Sequence, residues 1–537
     1  MLASRLFRFI GKGGALLVVL CLAAPPDGAP AQARELRLAL ERDTSSLDSM
    51  RNWDALTLAI TTNIYDPLID FEPDRGFHSR LAESWEQVAP DRWRFRLREG
   101  VRFQGGEPLT ADDVVFSVER MRHRNSRGAN VLRNLASVEA VDARTVDLVA
   151  RTPDPVLINQ LNTLVIMSRG WAERNGATEP SSVGQAETSH AVNHANGTGP
   201  FSVVSWEPGI RLVLARNPAW FGWGQWPGNV ERVVMTPISS AATRISGLLS
   251  GELDMVSPVS MQDAERIRSD ASTRLIAGHE ARVVYLGMDV AREELLHATV
   301  TPPGRNPFRD LRVRQAVAHA VNMEGLNRVV FRGFAAPAAM IVPEGVSGFD
   351  PSVLRPAFDL NRARALMREA GYPDGFRVTL DCPAGREVGD RDACEALVNL
   401  LARINIRVDL LAQPPARWLP KVTGRDTSLY YMSWGNNGWA GGNMLHDLLS
   451  CAEARRQGGF NSGGYCNPVL DEAVQSARTE VDPARHLSSL REAFQLVQRD
   501  MPVVPLYAPP ILWGTRAGIT VKLRPDGRVF LPYVVMP

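Results

Sequence analysis

The sequence predicts an α/β fold, and three observations carry that expectation. Short stretches such as 35–40 (ELRLAL) and 145–150 (TVDLVA) alternate apolar and polar residues with the two-residue period of strands. Between them lie runs with apolar residues three and four apart, as in 109–122 and 359–372, bounded by helix start and stop residues. Finally, 376–382 (FRVTLDC), 393–404 (ACEALVNLLARI) and 406–412 (IRVDLLA) succeed one another as strand, helix and strand, the β-α-β unit of an α/β lobe.

In chain order, the first 33 residues stand apart. Arg5, Arg8 and Lys12 precede an apolar run from Ala15 to Ala24, and APAQA (29–33) follows. This is the pattern of a secretory signal cut after Ala33. The run is about half of the ~20 residues that a membrane span needs. Leu20 stands where a lipoprotein signal usually carries a small residue, so Cys21 reads as part of the apolar run, not as a lipid anchor. Removal of Arg5, Arg8, Lys12 and Asp27 takes the formal charge from +1 to −1, which gives no electrostatic case for nucleic acid.

Export changes how the remaining cysteines read. Cys382, Cys394, Cys451 and Cys466 are an even set in an oxidising compartment and are expected to form disulfides. Three pairings are possible. The local one, Cys382 with Cys394 and Cys451 with Cys466, closes two short loops, each worth about 3 kcal/mol in the chain-entropy account. A zinc site is disfavoured, because neither pair has CxxC spacing and His446 is the only nearby imidazole.

Further elements follow from spacing and caps. In 93–103 (WRFRLREGVRF), Trp93, Phe95 and Leu97 share one strand face and arginines the other. Thr110 is the expected N-cap of the next helix, and Asp112 and Asp113 fill its first turn, where they oppose the helix dipole and are not a catalytic pair. Residues 197–220 read as turn, strand, turn at Pro208-Gly209 and strand. A helix in 241–255 is expected to stop near Gly251; in 310–326, residues Val313, Ala316, Val317, Ala320 and Val321 have helical spacing. Asp359 is a candidate N-cap and Gly371 a C-terminal stop. His190 and His194 have a metal-like spacing but sit in SHAVNHANGTGP without a third ligand nearby, so they read as surface histidines. No GxxxxGK[ST], HExxH or GxSxG is present.

The order of several segments is similar to a known family. They are TSSLDSM (44–50), IYDPLI (64–69), LAESWE (81–86), FRLREGVRFQGGEPLTADDVVFSVER (95–120), GTGPFSVVSWEPG (197–209), LLSGELDM (248–255), FRDLRVRQAVAHAVN (308–322), ALMREAGYPDGF (365–376), YCNPVLDEAVQSA (465–477) and MPVVPLY (501–507). The chain resembles the extracytoplasmic solute-binding proteins of ABC importers, the peptide/nickel (family 5) group that includes dipeptide- and oligopeptide-binding proteins. The resemblance implies a two-lobed periplasmic-binding-protein-like fold (type II, cluster C) with an extra small domain and a cleft between the lobes. On that pattern, 1–33 is the signal peptide, 34–66, 197–284 and 509–537 build lobe I, 67–196 is the extra domain, and 285–508 is lobe II. It implies a monomeric periplasmic receptor, not an enzyme and without cofactor, metal or nucleic acid. Such a receptor captures a peptide or peptide-like solute by hinge closure and delivers it to an inner-membrane permease with its ATPase. Two alternatives share the fold: a receptor for a saccharide or other neutral solute, and a chemosensory or chaperone-like receptor.

One stretch departs from the family pattern. SWGNNGWAGGN (433–443) is too rich in glycine for a helix and too aromatic for a solvated linker. In the peptide binders, the matching segment carries a Trp and, three residues on, an Asp that pairs with the peptide's α-amine. Here those positions hold Trp434 and Asn437. The missing charge predicts an uncharged guest, stacked on Trp434 and Trp439 with Gly435 beside it. The resemblance also places Trp53, Asp54 and Ala55 in the loop that contacts ligand backbone, with Asp54 able to recover an amine contact. Trp418 matches a pocket tryptophan, Tyr507 lies where the chain crosses between lobes, and Asn130 and Tyr285 complete the candidate set.

Overall fold

The β-α-β unit read from 376–412 forms as expected. In the computed structural model, strands Phe376–Pro383 and Ile406–Gln413 pair in parallel, Phe376 opposite Ile406 and Pro383 opposite Gln413, around helix Asp390–Ala402. The structure describes residues 34–52, 54–182, 189–435, 438–451 and 459–537. The expected signal sequence therefore lies outside the described residues.

Two seven-stranded sheets organise the molecule. In the first, the order is Thr273–His279, Pro510–Arg516, Met255–Ser257, Glu35–Leu40, Arg232–Pro237, Arg211–Arg216 and Phe201–Glu207. The second centres on Arg282–Met288, which is flanked by Leu429–Gly435 and Val503–Ala508 and extends to the β-α-β unit. A separate four-stranded sheet from Ala82–Ala89, Arg92–Leu97, Thr145–Ala150 and Leu135–Asp142, with a hairpin of Ile69–Glu72 and Gly76–Ser79, has its own apolar core. No described helix is long and apolar enough to cross a membrane.

The chain passes between the two large sheets twice in adjacent places. Thr273–His279 runs into Arg282–Met288 through Glu280 and Ala281, and Val503–Ala508 runs into Pro510–Arg516 through Pro509. The crossings are tied together, since the Glu280 amide donates to the Pro509 carbonyl at 2.9 Å. Two short antiparallel connections lying side by side make a hinge, because few dihedrals must change for the sheets to swing.

Local chemistry explains where elements end. Thr110 and Asp113 form the reciprocal capping box of helix Ala111–Arg122. Gly251 takes φ +79° and stops helix Ala241–Ser250. Strand Arg92–Leu97 is shorter than the alternation to Phe103 suggests: Gly100 turns the chain at φ +75°. Trp93, Phe95 and Leu97 are buried while Arg92 and Arg94 grip Asp147 outside that core. The helical spacing in 310–326 is split. Helix Leu311–Ala320 ends at extended Val321, and Asn322 caps a new helix, Met323–Val330, accepting from the Gly325 amide at 2.8 Å. His190 and His194 stack face to face with ring centroids 3.7 Å apart, an arrangement of packed rings and not of converging ligands. Both cystine pairs are local, Cys382–Cys394 and Cys451–Cys466.

Candidate ligand cleft

A cavity of ≈330 Å³ lies against the crossings. One wall comes from the end of strand Glu35–Leu40, helix Ala55–Thr61 and the loop Pro525–Val529; the other comes from Glu280, Arg282 and Gly435. Both sheets therefore contribute, and opening the hinge would separate the walls.

Glu280 and Arg282 carry the charge of the second wall, and Arg386 and Glu387 stand behind it. Arg282 Nε lies 2.8 Å from Glu280 and its Nη1 lies 3.4 Å from Glu387. Ser433 Oγ donates to the same Glu387 oxygen at 2.5 Å, and Arg386 Nε approaches Glu387 at 3.4 Å while its guanidinium sits 5.1 Å from the Trp418 ring centre. Burial pushes the Glu280 carboxyl above its ordinary range against the pull of Arg282, and the nearby Glu387 charge pushes the same way. Burial works against the Arg282 charge, yet Glu387 and Glu280 together hold its pKa above the usual value. For Arg386, burial wins and the pKa falls. Two acids thus share one guanidinium at the mouth of a half-buried crevice.

Only some of the sequence candidates gather at this cleft. Gly435 and Ala55 line it. Trp53 and Asn437 lie outside the described residues. Asp54 is already engaged: it caps helix Ala55–Thr61, accepts from Thr57 Oγ1 at 2.6 Å and pairs with Arg42 at 2.8 Å. Burial disfavours its charge, but the bonds from Thr57 and Arg42 prevail and lower its pKa. Trp434 is the penultimate residue of strand Leu429–Gly435, half-buried, with its ring edge-on to Phe460 at 4.7 Å.

Others sit in the interior. Trp439 is 2% exposed, holds φ +57° and meets Phe71 at 5.3 Å. Trp418 and Tyr285 belong to the same apolar cluster, Tyr285 edge-on to Tyr430 at 6.4 Å. Tyr507 is buried in the neighbouring core, its hydroxyl bonded to that of Tyr431. Asn130 is exposed in a turn of the 67–196 segment. The glycine-rich stretch also begins a helix, Gly441–Leu449, contrary to expectation. Tertiary packing overrides propensity there: a Cβ on Gly441 would meet the Ser347 carbonyl at 2.2 Å, and the Gly441 amide donates to Ser347 Oγ at 3.1 Å.

Glu280, Arg282, Arg386 and Glu387 were not singled out from the sequence. The readable signal was the charged triplet Glu280-Ala281-Arg282 set just before the apolar strand that follows it. Among the described residues, one set of ligand-type side chains converges closely enough for a metal, Asp70, Glu72 and His78. Arg524 and Arg80, both buried, lie 3.1 and 3.3 Å from Asp70, and the half-buried Lys522 lies 2.6 Å from Glu72, so cations already neutralise the acids. That donor set fits an ion-pair network and not a metal.

The model of the bacterial extracellular solute-binding proteins, family 5, matches residues 76–456. The chain belongs to this family. A curated relative, the glutathione-binding protein GsiB of Salmonella typhi, is 25% identical over 489 residues, covering 88% of this chain and 89% of that protein. Among solved structures, a putative peptide-binding protein AppA from Clostridium difficile aligns with a TM-score of 0.80 at 17% identity, covering 94% of this chain and all of the other. DppA from Helicobacter pylori, in complex with the peptide STSA, aligns at 0.73 and 21% identity, covering 94% of this chain and 98% of that one. These structural likenesses support the two-lobed fold.

Proposed function

We propose that this family 5 protein is the periplasmic receptor of an ABC importer for a short zwitterionic peptide-like solute. The observation that carries this is Arg282 held between Glu280 and Glu387 on the cleft wall. An incoming ammonium relieves the repulsion between the two carboxylates, and an incoming carboxylate finds Arg386 or the released face of Arg282. The acid absent at position 437 is in this reading replaced by acids from the crossing and from Glu387, so the guest need not be uncharged. Named relatives give consistent support: one binds glutathione, and solved neighbours hold the peptide STSA and the dipeptide Met-Leu.

Transport follows from differential affinity alone. Moving the lobes from 1:99 to 99:1 in favour of closure takes about 5.5 kcal/mol of preference for the closed state. Two or three charge-assisted bonds, each worth about 1.5–3 kcal/mol, are of that size. The permease and its ATPase then read the closed form.

Titration calorimetry with glutathione, a set of dipeptides and their N-acetylated forms tests the proposal. Free-amine ligands are expected to bind about tenfold or more tightly than acetylated ones, a difference of ~1.4 kcal/mol. Glu280→Gln should erase most of that preference. Equal affinity for free and acetylated peptides, or binding confined to neutral sugars, overturns it.

A further inference from the structure

A second cavity, of ≈760 Å³, lies away from the crossings, where the 67–196 segment meets the 285–508 segment. Phe71, Phe77 and Trp93 form one side; Val346, Phe349 and Trp439 form the other. Its size is in the range of small-molecule pockets, about 300–1,000 Å³, and its walls are mainly aromatic and aliphatic, as such pockets are. Phe349 is 36% exposed, and Leu487 at the rim 39%.

The rim carries an unbalanced charge. Arg491, on helix Pro483–Asp500, is exposed at the edge of the cavity and has no ion-pair partner among the described residues. Neighbouring polar groups are engaged elsewhere. Glu480 pairs with Arg485 at 3.0 Å, His486 Nδ1 lies 2.6 Å from the Ala477 carbonyl, and Asp350 accepts from Ser352 Oγ at 2.6 Å although it feels the Arg491 charge. An apolar chamber with one free guanidinium at its mouth matches an apolar body with one anionic head.

We infer that this cavity binds an apolar monocarboxylate, its ring or medium-length acyl chain between Phe71 and Phe349 and its carboxylate on Arg491. The site stands apart from the charged cleft, and this inference does not depend on the zwitterionic reading of that cleft. Because the two walls come from segments that hinge closure brings together, an occupant binds the closed arrangement best and favours it.

Titration calorimetry of the full chain with decanoate, 3-phenylpropanoate and decylamine is the test. At least one of the two acids is expected to bind at one per chain; which one does so distinguishes an aliphatic from an aromatic guest. Decylamine should bind about tenfold more weakly or worse, and Arg491→Gln, a surface change that leaves the core intact, should weaken the acid by about fivefold or more. No saturable binding of either acid, equal binding of decylamine, or an Arg491→Gln variant that binds the acid unchanged overturns the inference.

Discussion

Trp434 and Trp439 lie five residues apart in one neutral, glycine-rich stretch, yet the fold treats them oppositely. Trp434 sits next to the end of a central strand, half-buried beside Phe460. Trp439, itself in a left-handed backbone conformation, is almost wholly enclosed and faces Phe71 of the hairpin. The first ring keeps part of its surface exposed, while the second joins the 285–508 segment to the 67–196 segment. Aromatic residues in one loop thus need not share a role; the deciding quantity is which other element each ring meets.

The sharpest way to break this contrast is Trp439→Ala. It is expected to cost about 3–5 kcal/mol of stability, as large aromatic truncations in a packed core do. Denaturant unfolding showing a loss under ~1 kcal/mol would mean that the ring is not structural.

Next in size is a pH effect at the same junction. Burial, with Arg478 and Arg133 adding to it, lowers the His446 pKa to about 3, and Arg478 donates to the neutral ring at 3.2 Å. The unfolded chain protonates this histidine near its ordinary 6.5 while the folded chain does not, so unfolding takes up a proton between the two values. Stability should therefore fall as pH drops from 6.5 towards 3. His446→Gln should flatten that dependence in thermal melts; an unchanged slope would remove His446 from the cause.

Trp434→Ala is a smaller perturbation, of opposite kind. Affinity for the cleft ligand should drop about tenfold, ~1.4 kcal/mol, with unfolding barely altered. Calorimetry with undiminished affinity would place the ring outside the site. The smallest effect is expected at the partly exposed pair Arg133–Asp447, 3.0 Å apart across the same junction. Such pairs contribute about 0–1 kcal/mol, so Arg133→Ala should only nudge the balance towards the open form, visible as a slightly larger radius in solution scattering without ligand.

Much of the architecture was legible because it is locally encoded. The capping box of Thr110 and Asp113, the stop at Gly251 and the β-α-β unit depend on residues a few positions apart. The local cystine pairing was open among three choices until the structure brought the partners together. Failures share a different cause. Helix Gly441–Leu449 starts on two glycines because Ser347, about a hundred residues earlier, accepts the first amide and leaves no room for a side chain. Tyr285, Trp418 and Tyr507 carry plausible binding side chains, but the sheet directs the two tyrosines, and helix Pro415–Thr423 directs Trp418, into apolar clusters.

By itself, the sequence determined the α/β class, the export signature, the family and most element boundaries, since periodicity, caps and turn residues act over one or two turns of chain. Tertiary structure alone decided which aromatic rings are enclosed, that Glu280 and Glu387 share Arg282, and that Arg491 has no ion-pair partner among the described residues beside an apolar chamber. Those facts rest on pairs such as Arg282 with Glu387, 105 positions apart, and Phe71 with Trp439, 368 apart; no local propensity fixes burial or charge balance across such a separation, because both depend on how the finished sheets and segments pack.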